Sequence, residues 1–114
     1  FNVNQIAQIA ATEALKDKKF INKSVNHNLT ETNKVKKILE KLNIFSNDIT
    51  ANFLLLNFDK CKFKAKYIYK ELQSKGVILR STENGYNIKN KLRLSIGSKK
   101  ENIKFIKAIK IIFN

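Results

Sequence analysis

Methionine and proline are absent from this 114-residue chain, which also holds only three glycines, one cysteine and one histidine. With no proline and so little glycine there is no proline-glycine linker, and no repeat or low-complexity stretch divides the chain. A single domain over residues 1–114 is therefore expected, with 43% hydrophobic residues to fill one core. Cys61 has no second cysteine to pair with, which excludes an internal disulfide and points to a reducing cytoplasm. It reads as a semi-buried structural thiol near a helix start. His27 has neither a cysteine nor another histidine to share a metal with, so a zinc site is excluded. No apolar run approaches the roughly 18 residues of a membrane span, and no signal or transit pattern opens the chain. Lacking methionine and starting at Phe1, the chain is expected to be cut from something longer.

Acidic residues are also scarce, nine against 23 lysines and arginines, for a formal charge of +14. Such a balance can mean nucleic acid or an anionic membrane. The lysines, however, are spread over nearly every segment and travel with abundant asparagine and isoleucine, as an AT-rich coding sequence would produce. Aromatic residues do not interleave with them as a base-stacking platform needs. Solvated helix faces are the simpler reading, and nucleic-acid binding is not favoured. The nine acids are scattered, and there is no glycine-rich phosphate loop and no serine-histidine-acid set. No catalytic constellation is visible.

Only two arginines occur among 21 lysines, Arg80 and Arg93, each on a short apolar, strand-like run. These runs are Val77-Ile-Leu-Arg80 and Lys91-Leu-Arg-Leu-Ser-Ile-Gly97. Arginine's planar fork binds carboxylate or phosphate through two parallel hydrogen bonds, whereas lysine offers a mobile point charge. Two surface arginines at strand ends are the alternative reading.

Along the chain, Asn2 can cap a first, alanine-rich helix reaching Lys16, with Gln5 reaching back. Its alanine face should sit tight against a partner element. Asp17 starts a longer helix to about Leu42, with Ile21, Val25, Thr32, Val35, Leu39 and Leu42 along one side. A rod that long would run across a small domain and could extend beyond its edge, and His27 should be half-exposed. Asn43 is the expected stop. A short strand or turn, 44–49, precedes the strongest strand signal, 51–58, whose unbroken apolar run predicts burial on both faces. Asn52 at its head is a turn residue or a polar group aimed at a site. A third helix, 62–75, turns Phe63, Tyr67, Ile68 and Leu72 inward and stops at Gly76. Strand 77–80 completes a β-α-β unit. The connection 81–90 carries the turn signal Asn84-Gly85, and strand 91–96 returns antiparallel to 77–80. Ser98-Lys-Lys-Glu101 is a capping box for a last helix with Ile103, Ile106, Ile109 and Phe113 on its apolar side. The order α-α-β-β-α-β-β-α predicts an α+β fold, a small mixed or antiparallel sheet covered by helices.

Several of these segments share one resemblance. Phe1-Asn-Val-Asn4 before an alanine-rich helix, Ala51-Asn-Phe53, Gly76-Val-Ile-Leu-Arg80, and Leu92-Arg-Leu-Ser-Ile-Gly97 with Glu101 behind it are similar to the C-terminal part of histidinol-phosphate aminotransferases. These are fold type I transaminases that use pyridoxal 5'-phosphate. The resemblance implies the family's small domain, which closes over the active site of a large domain expected N-terminal to Phe1. It implies that Arg93 anchors the anionic amino-acid or phosphate substrate, that Arg80 is a second arginine near the phosphate, and that Asn2 and Asn52 are structural supports at the domain junction. The Schiff-base lysine and the other cofactor-binding residues of the family have no counterpart here, so pyridoxal phosphate would be held by the large domain and the isolated chain would be inactive. A homodimer is implied for the full-length protein. A related aromatic amino acid transaminase, a stand-alone basic nucleic-acid-binding module, and a regulatory domain binding an anionic metabolite through Arg80 and Arg93 are the alternatives.

Overall fold

The computed structural model describes residues 2–49 and 51–114. Its elements are α1 (Gln5–Lys16), α2 (Lys18–Glu40), β1 (Phe45–Ser46), β2 (Phe53–Asn57), α3 (Ala65–Ser74), β3 (Arg80–Ser81), α4 (Glu83–Tyr86), β4 (Lys91–Ser95) and α5 (Lys99–Phe113). The fold is α+β. Phe1, where the opening motif begins, and Thr50 lie outside the described residues.

All three strand pairings are antiparallel, and the sheet order is β1-β2-β4-β3. β2 and β3, the ends of the expected β-α-β unit, are therefore not neighbours, because β4 lies between them. β2 alternates, with Leu54 and Leu56 buried, Leu55 half-buried and Phe53 exposed. This corrects the expectation of burial on both faces. The helices pack on one face only, so the apolar run fills the core with every second residue.

The core face receives Leu92 and Leu94 from β4, Ile68 and Leu72 from α3, Phe105 and Ile109 from α5, and Val35 and Leu39 from α2. Each fully buried side chain of this size contributes about 1.5–3 kcal/mol of transfer free energy. On α5 the inward face is Phe105, Ala108 and Ile109, while Ile103 points outward, a correction of one position on that helix. α3 starts at Ala65, later than expected; Ile68 and Leu72 are inside, Tyr67 stays 46% exposed, and Phe63, ahead of the helix, packs on the core edge with its ring 4.9 Å from that of Tyr67.

Local signals set most boundaries. Asp17 caps α2 by accepting from the Phe20 amide, and Ser98 and Glu101 form the reciprocal box on α5. Asn43 (φ 57°) and Gly76 (φ 67°) end α2 and α3 in the left-handed conformation. The cap of α1 is Asn4 and not Asn2: the Asn4 side chain accepts from the Ala7 amide at 2.8 Å, and the helix begins after it. The run 77–79 does not pair with β4. The Gly76 carbonyl is held by Lys104 of α5 at 2.9 Å, which keeps this stretch with the helix layer until Arg80 meets Arg93. The connection 81–90 contains the single turn α4, closed by the buried Thr82, whose hydroxyl faces the carbonyls of Ile88 and Lys91 at 2.9 Å each.

α1 has no buried residue, so within the described residues nothing covers its alanine face. The N-terminal half of α2 also stands clear of the core: Ile21 and Val25 are exposed, whereas Thr32, Val35 and Leu39 are buried. The long helix thus runs past the sheet as expected. This arm stretches the molecule to 49 × 31 × 25 Å with a radius of gyration of 16.6 Å, against about 13 Å for a compact chain of about 100 residues. No helix among the described residues is long and apolar enough to cross a membrane.

Candidate functional site

β4 holds Leu92 and Leu94 in the core, so strand alternation turns Lys91, Arg93 and Ser95 to the helix-free face. Arg93 sits opposite Leu55 of β2 on one side and opposite Arg80 of β3 on the other. Both arginines therefore rise from one cross-strand row of the open face. Residues in such a row have Cβ atoms roughly 4.5–5.5 Å apart, and like charges placed there repel. No carboxylate among the described residues lies within ion-pair distance of either guanidinium; the ion pairs present all involve lysine. Each guanidinium instead lies over an aromatic ring. The Arg93 Cζ is 5.1 Å from the centre of Phe53, and the Arg80 Cζ is 5.5 Å from that of Tyr86. The Nε of Arg93 is buried without a hydrogen-bond partner.

A groove of about 720 Å³ lies between residues 76–81, β4 and α5, lined by both arginines and by Phe105. Residues 77–79, which stay off the ladder, and Leu94 of β4 are among its lining. Asn52 lies one residue before Phe53. Its carbonyl accepts from the Ile96 amide at 2.7 Å, and its side chain is exposed. Asn2 is exposed ahead of α1 and does not line the groove.

Behind the exit of β4 lies a polar cluster that local sequence patterns do not announce. The Gly97 amide donates to Asn102 Oδ1 at 3.0 Å, and Asn102 Nδ2 donates back to the Gly97 carbonyl at 3.1 Å. The same nitrogen donates to Glu31 Oε2 of α2 at 3.1 Å, and Lys34 holds the other carboxylate oxygen at 2.8 Å. His27 Nε2 lies 2.8 Å from the Gly97 carbonyl; since a carbonyl only accepts, Nε2 carries the proton. Glu31 and Asn102 are each only 4% exposed. The Lys34 hydrogen bond, then that from Asn102, holds the Glu31 carboxyl below its usual range against the opposing effect of burial. His27 is half-buried as expected, but it ties α2 to the end of the strand that carries Arg93.

The structure thus brings Arg80 and Arg93 together, and adds Phe53 and Tyr86, which the sequence reading did not single out. The signal for Phe53 was its parity with Leu55: once Leu54 and Leu56 are assigned to the core, Phe53 must share the open face. No local signal pairs Tyr86 with Arg80.

No family model matches the chain. Among curated proteins, it is 72% identical over all 114 residues to a histidinol-phosphate aminotransferase of Pelagibacter ubique, of which it covers 32%. It is 37% identical over 96% of its length to that of Parabacteroides distasonis, covering 31%. Among solved structures, the histidinol-phosphate aminotransferase of Clostridium acetobutylicum aligns with a TM-score of 0.83 and 26% identity, over 97% of this chain and 34% of that one. The chain spans about a third of the length of the relatives it matches. Over nearly its whole length the chain is thus similar to a stretch that makes up about one third of each of these histidinol-phosphate aminotransferases.

Proposed function

We propose that this chain is the small, C-terminal domain of a histidinol-phosphate aminotransferase, which moves an amino group between glutamate and imidazole-acetol phosphate. The observation that carries the reading is the arginine row: Arg80 and Arg93 side by side, without a carboxylate partner, on the face the helices leave open. Two forks so placed can hold a phosphate or carboxylate through charge-assisted bidentate bonds and keep the reacting amine in register.

Pyridoxal 5'-phosphate, which the family resemblance implies, supplies the electron sink for such a transfer. The residues of this chain do not fit it as a holder. Desolvation in an apolar pocket activates a lysine for Schiff-base formation, and none of the 21 lysines here is buried. The cofactor then belongs to a large domain outside this chain, and the share of this domain is to bind and orient the anion. Asn52 and Asn2 would support the junction with that domain, in a cytoplasmic homodimer.

The test is steady-state transamination of imidazole-acetol phosphate by the full-length protein with wild-type Arg93 or Arg93→Lys. Hydrogen bonds to charged groups are worth about 1.5–3 kcal/mol, so losing the fork should lower kcat/KM by roughly 10- to 100-fold. A wild-type protein inert toward this substrate, or an Arg93→Lys enzyme of unchanged kcat/KM, would overturn the reading.

A further inference from the structure

We propose that Phe53 and Tyr86 are positioning residues, aromatic rests that fix the guanidinium planes of Arg93 and Arg80 while leaving their terminal N–H groups free for an oxyanion. The proposal rests on the reading of the arginine row as an anion site and adds what keeps the row usable. Two like charges in one cross-strand row need something to hold them. A carboxylate would do so by occupying the fork, whose donors lie in its plane. An aromatic face attracts the cation from above that plane and consumes none of those donors.

The backbone makes both contacts available. Phe53 pairs with Ser95, two residues beyond Arg93 on β4, so Phe53 and Arg93 are diagonal neighbours on the open face. That spacing is within reach of an aromatic side chain. Ser95 is small and leaves the ring room to lie across the strand. Tyr86 comes from α4, the turn whose ends Thr82 ties to Ile88 and Lys91, so the second rest is carried by a closed loop. The buried, unpaired Nε of Arg93 has lost water without gaining an acceptor, which means packing and not hydrogen bonding holds this guanidinium. Phe53 is 39% and Tyr86 53% exposed, so neither ring is needed to fill the core.

The experiment uses the full-length protein with Phe53→Leu, Tyr86→Leu, and the ring-preserving Phe53→Tyr and Tyr86→Phe. Affinity for inorganic phosphate is measured by calorimetry, and KM and kcat for imidazole-acetol phosphate alongside. Phe53→Leu should weaken phosphate binding and raise KM on the order of 10-fold, and Tyr86→Leu roughly 2- to 5-fold, in the range of a partly and a weakly desolvated cation–π contact. Phe53→Tyr and Tyr86→Phe should restore wild-type values. In an Arg93→Lys background, Phe53→Leu should add less than it does alone. Phosphate affinity within twofold of wild type for Phe53→Leu, or a Phe53→Tyr variant as weak as Phe53→Leu at the same melting temperature, would overturn the proposal. Should phosphate bind and respond as stated while no transamination occurs, the aromatic rests stand and the transaminase reading falls.

Discussion

Replacing Asn102 by alanine should destabilise the chain by at least about 2 kcal/mol. Asn102 makes three hydrogen bonds from a buried position: two with the backbone N–H and C=O of Gly97 and one with the Glu31 carboxylate. A typical intramolecular hydrogen bond contributes about 1 kcal/mol net, so the two to Gly97 alone set a floor of about 2 kcal/mol. The loss exceeds that floor, because the Gly97 amide and one Glu31 oxygen are left in a pocket sized for a carboxamide. For a domain of this length, 2 kcal/mol corresponds to a fall of about 8–10 °C in Tm. Urea unfolding at pH 7 followed by circular dichroism reads the difference directly. Asn102→Asp sharpens the test. It keeps the shape and the acceptor for the Gly97 amide, but sets a second acceptor against the Gly97 carbonyl and the Glu31 carboxylate. It should be at least as damaging as alanine at pH 7 and should recover part of its deficit on acidification, which alanine cannot do. A loss below about 1 kcal/mol for Asn102→Ala, or an Asn102→Asp protein as stable as wild type at pH 7, would refute the view that this cluster ties α2 to α5.

Other changes test the remaining devices. Glu31, Asp59 and Glu101 all have carboxyl groups held below their ordinary values, chiefly by hydrogen bonds from Lys34, Asn90 and Ser98 respectively. The unfolded chain therefore binds more protons as pH falls, so their contribution is present above about pH 4.5 and is lost below it; urea midpoints unchanged between pH 6 and pH 3 would contradict this. Ser98→Ala should cost about 1 kcal/mol through the lost α5 cap, read as a fall in the urea midpoint. Gly97→Ala should break the same box, since its Cβ would lie 2.8 Å from Glu101 Oε2, and its effect should not add to that of Ser98→Ala. Gly76→Ala should cost roughly 1–2 kcal/mol in the same assay, because φ 67° penalises any side chain and the new Cβ would crowd Lys104.

What was legible in the sequence is what local chemistry decides. Asp17, Asn43, Gly76 and the Ser98–Glu101 box mark helix ends by hydrogen bonds or backbone angles that span a few residues, and each is found where its chemistry predicts. The rarity of arginine was equally readable, and β4 turns Arg93 outward because Leu92 and Leu94 must turn inward. Periodicity could not decide whether Leu54–Leu55–Leu56 is buried on one face or two, since that depends on whether a second helix layer exists. It could not foresee that 77–79 leaves the ladder, because the Lys104 bond to Gly76 joins residues 28 apart. His27 and Gly97 are separated by 70 positions, and Glu31 and Asn102 by 71. Nothing in either neighbourhood marks the pairing; an asparagine in the first turns of a capped helix reads as a surface residue until the helix it faces is known.

These long-range bonds bear on the arginine row itself. Arg93 lies mid-strand, with β2 on one side and β3 on the other fixing its height. Its strand ends at Ser95, and two residues further on lies Gly97, a residue without a side chain of its own to pack. Gly97 is held by Asn102 from α5 through its backbone N–H and C=O and by His27 from α2. α2 continues toward its N-terminus into the exposed arm, where Phe20, Ile21 and Val25 have no cover among the described residues. The open face and the arm are thus not independent surfaces. A rigid helix of 23 residues connects them, about 35 Å long, and it meets the end of β4 at His27 and the buried Glu31–Asn102 pair. Arg93 is therefore placed mid-sheet by its two neighbouring strands, while the chain just beyond its strand is held by α2 and α5.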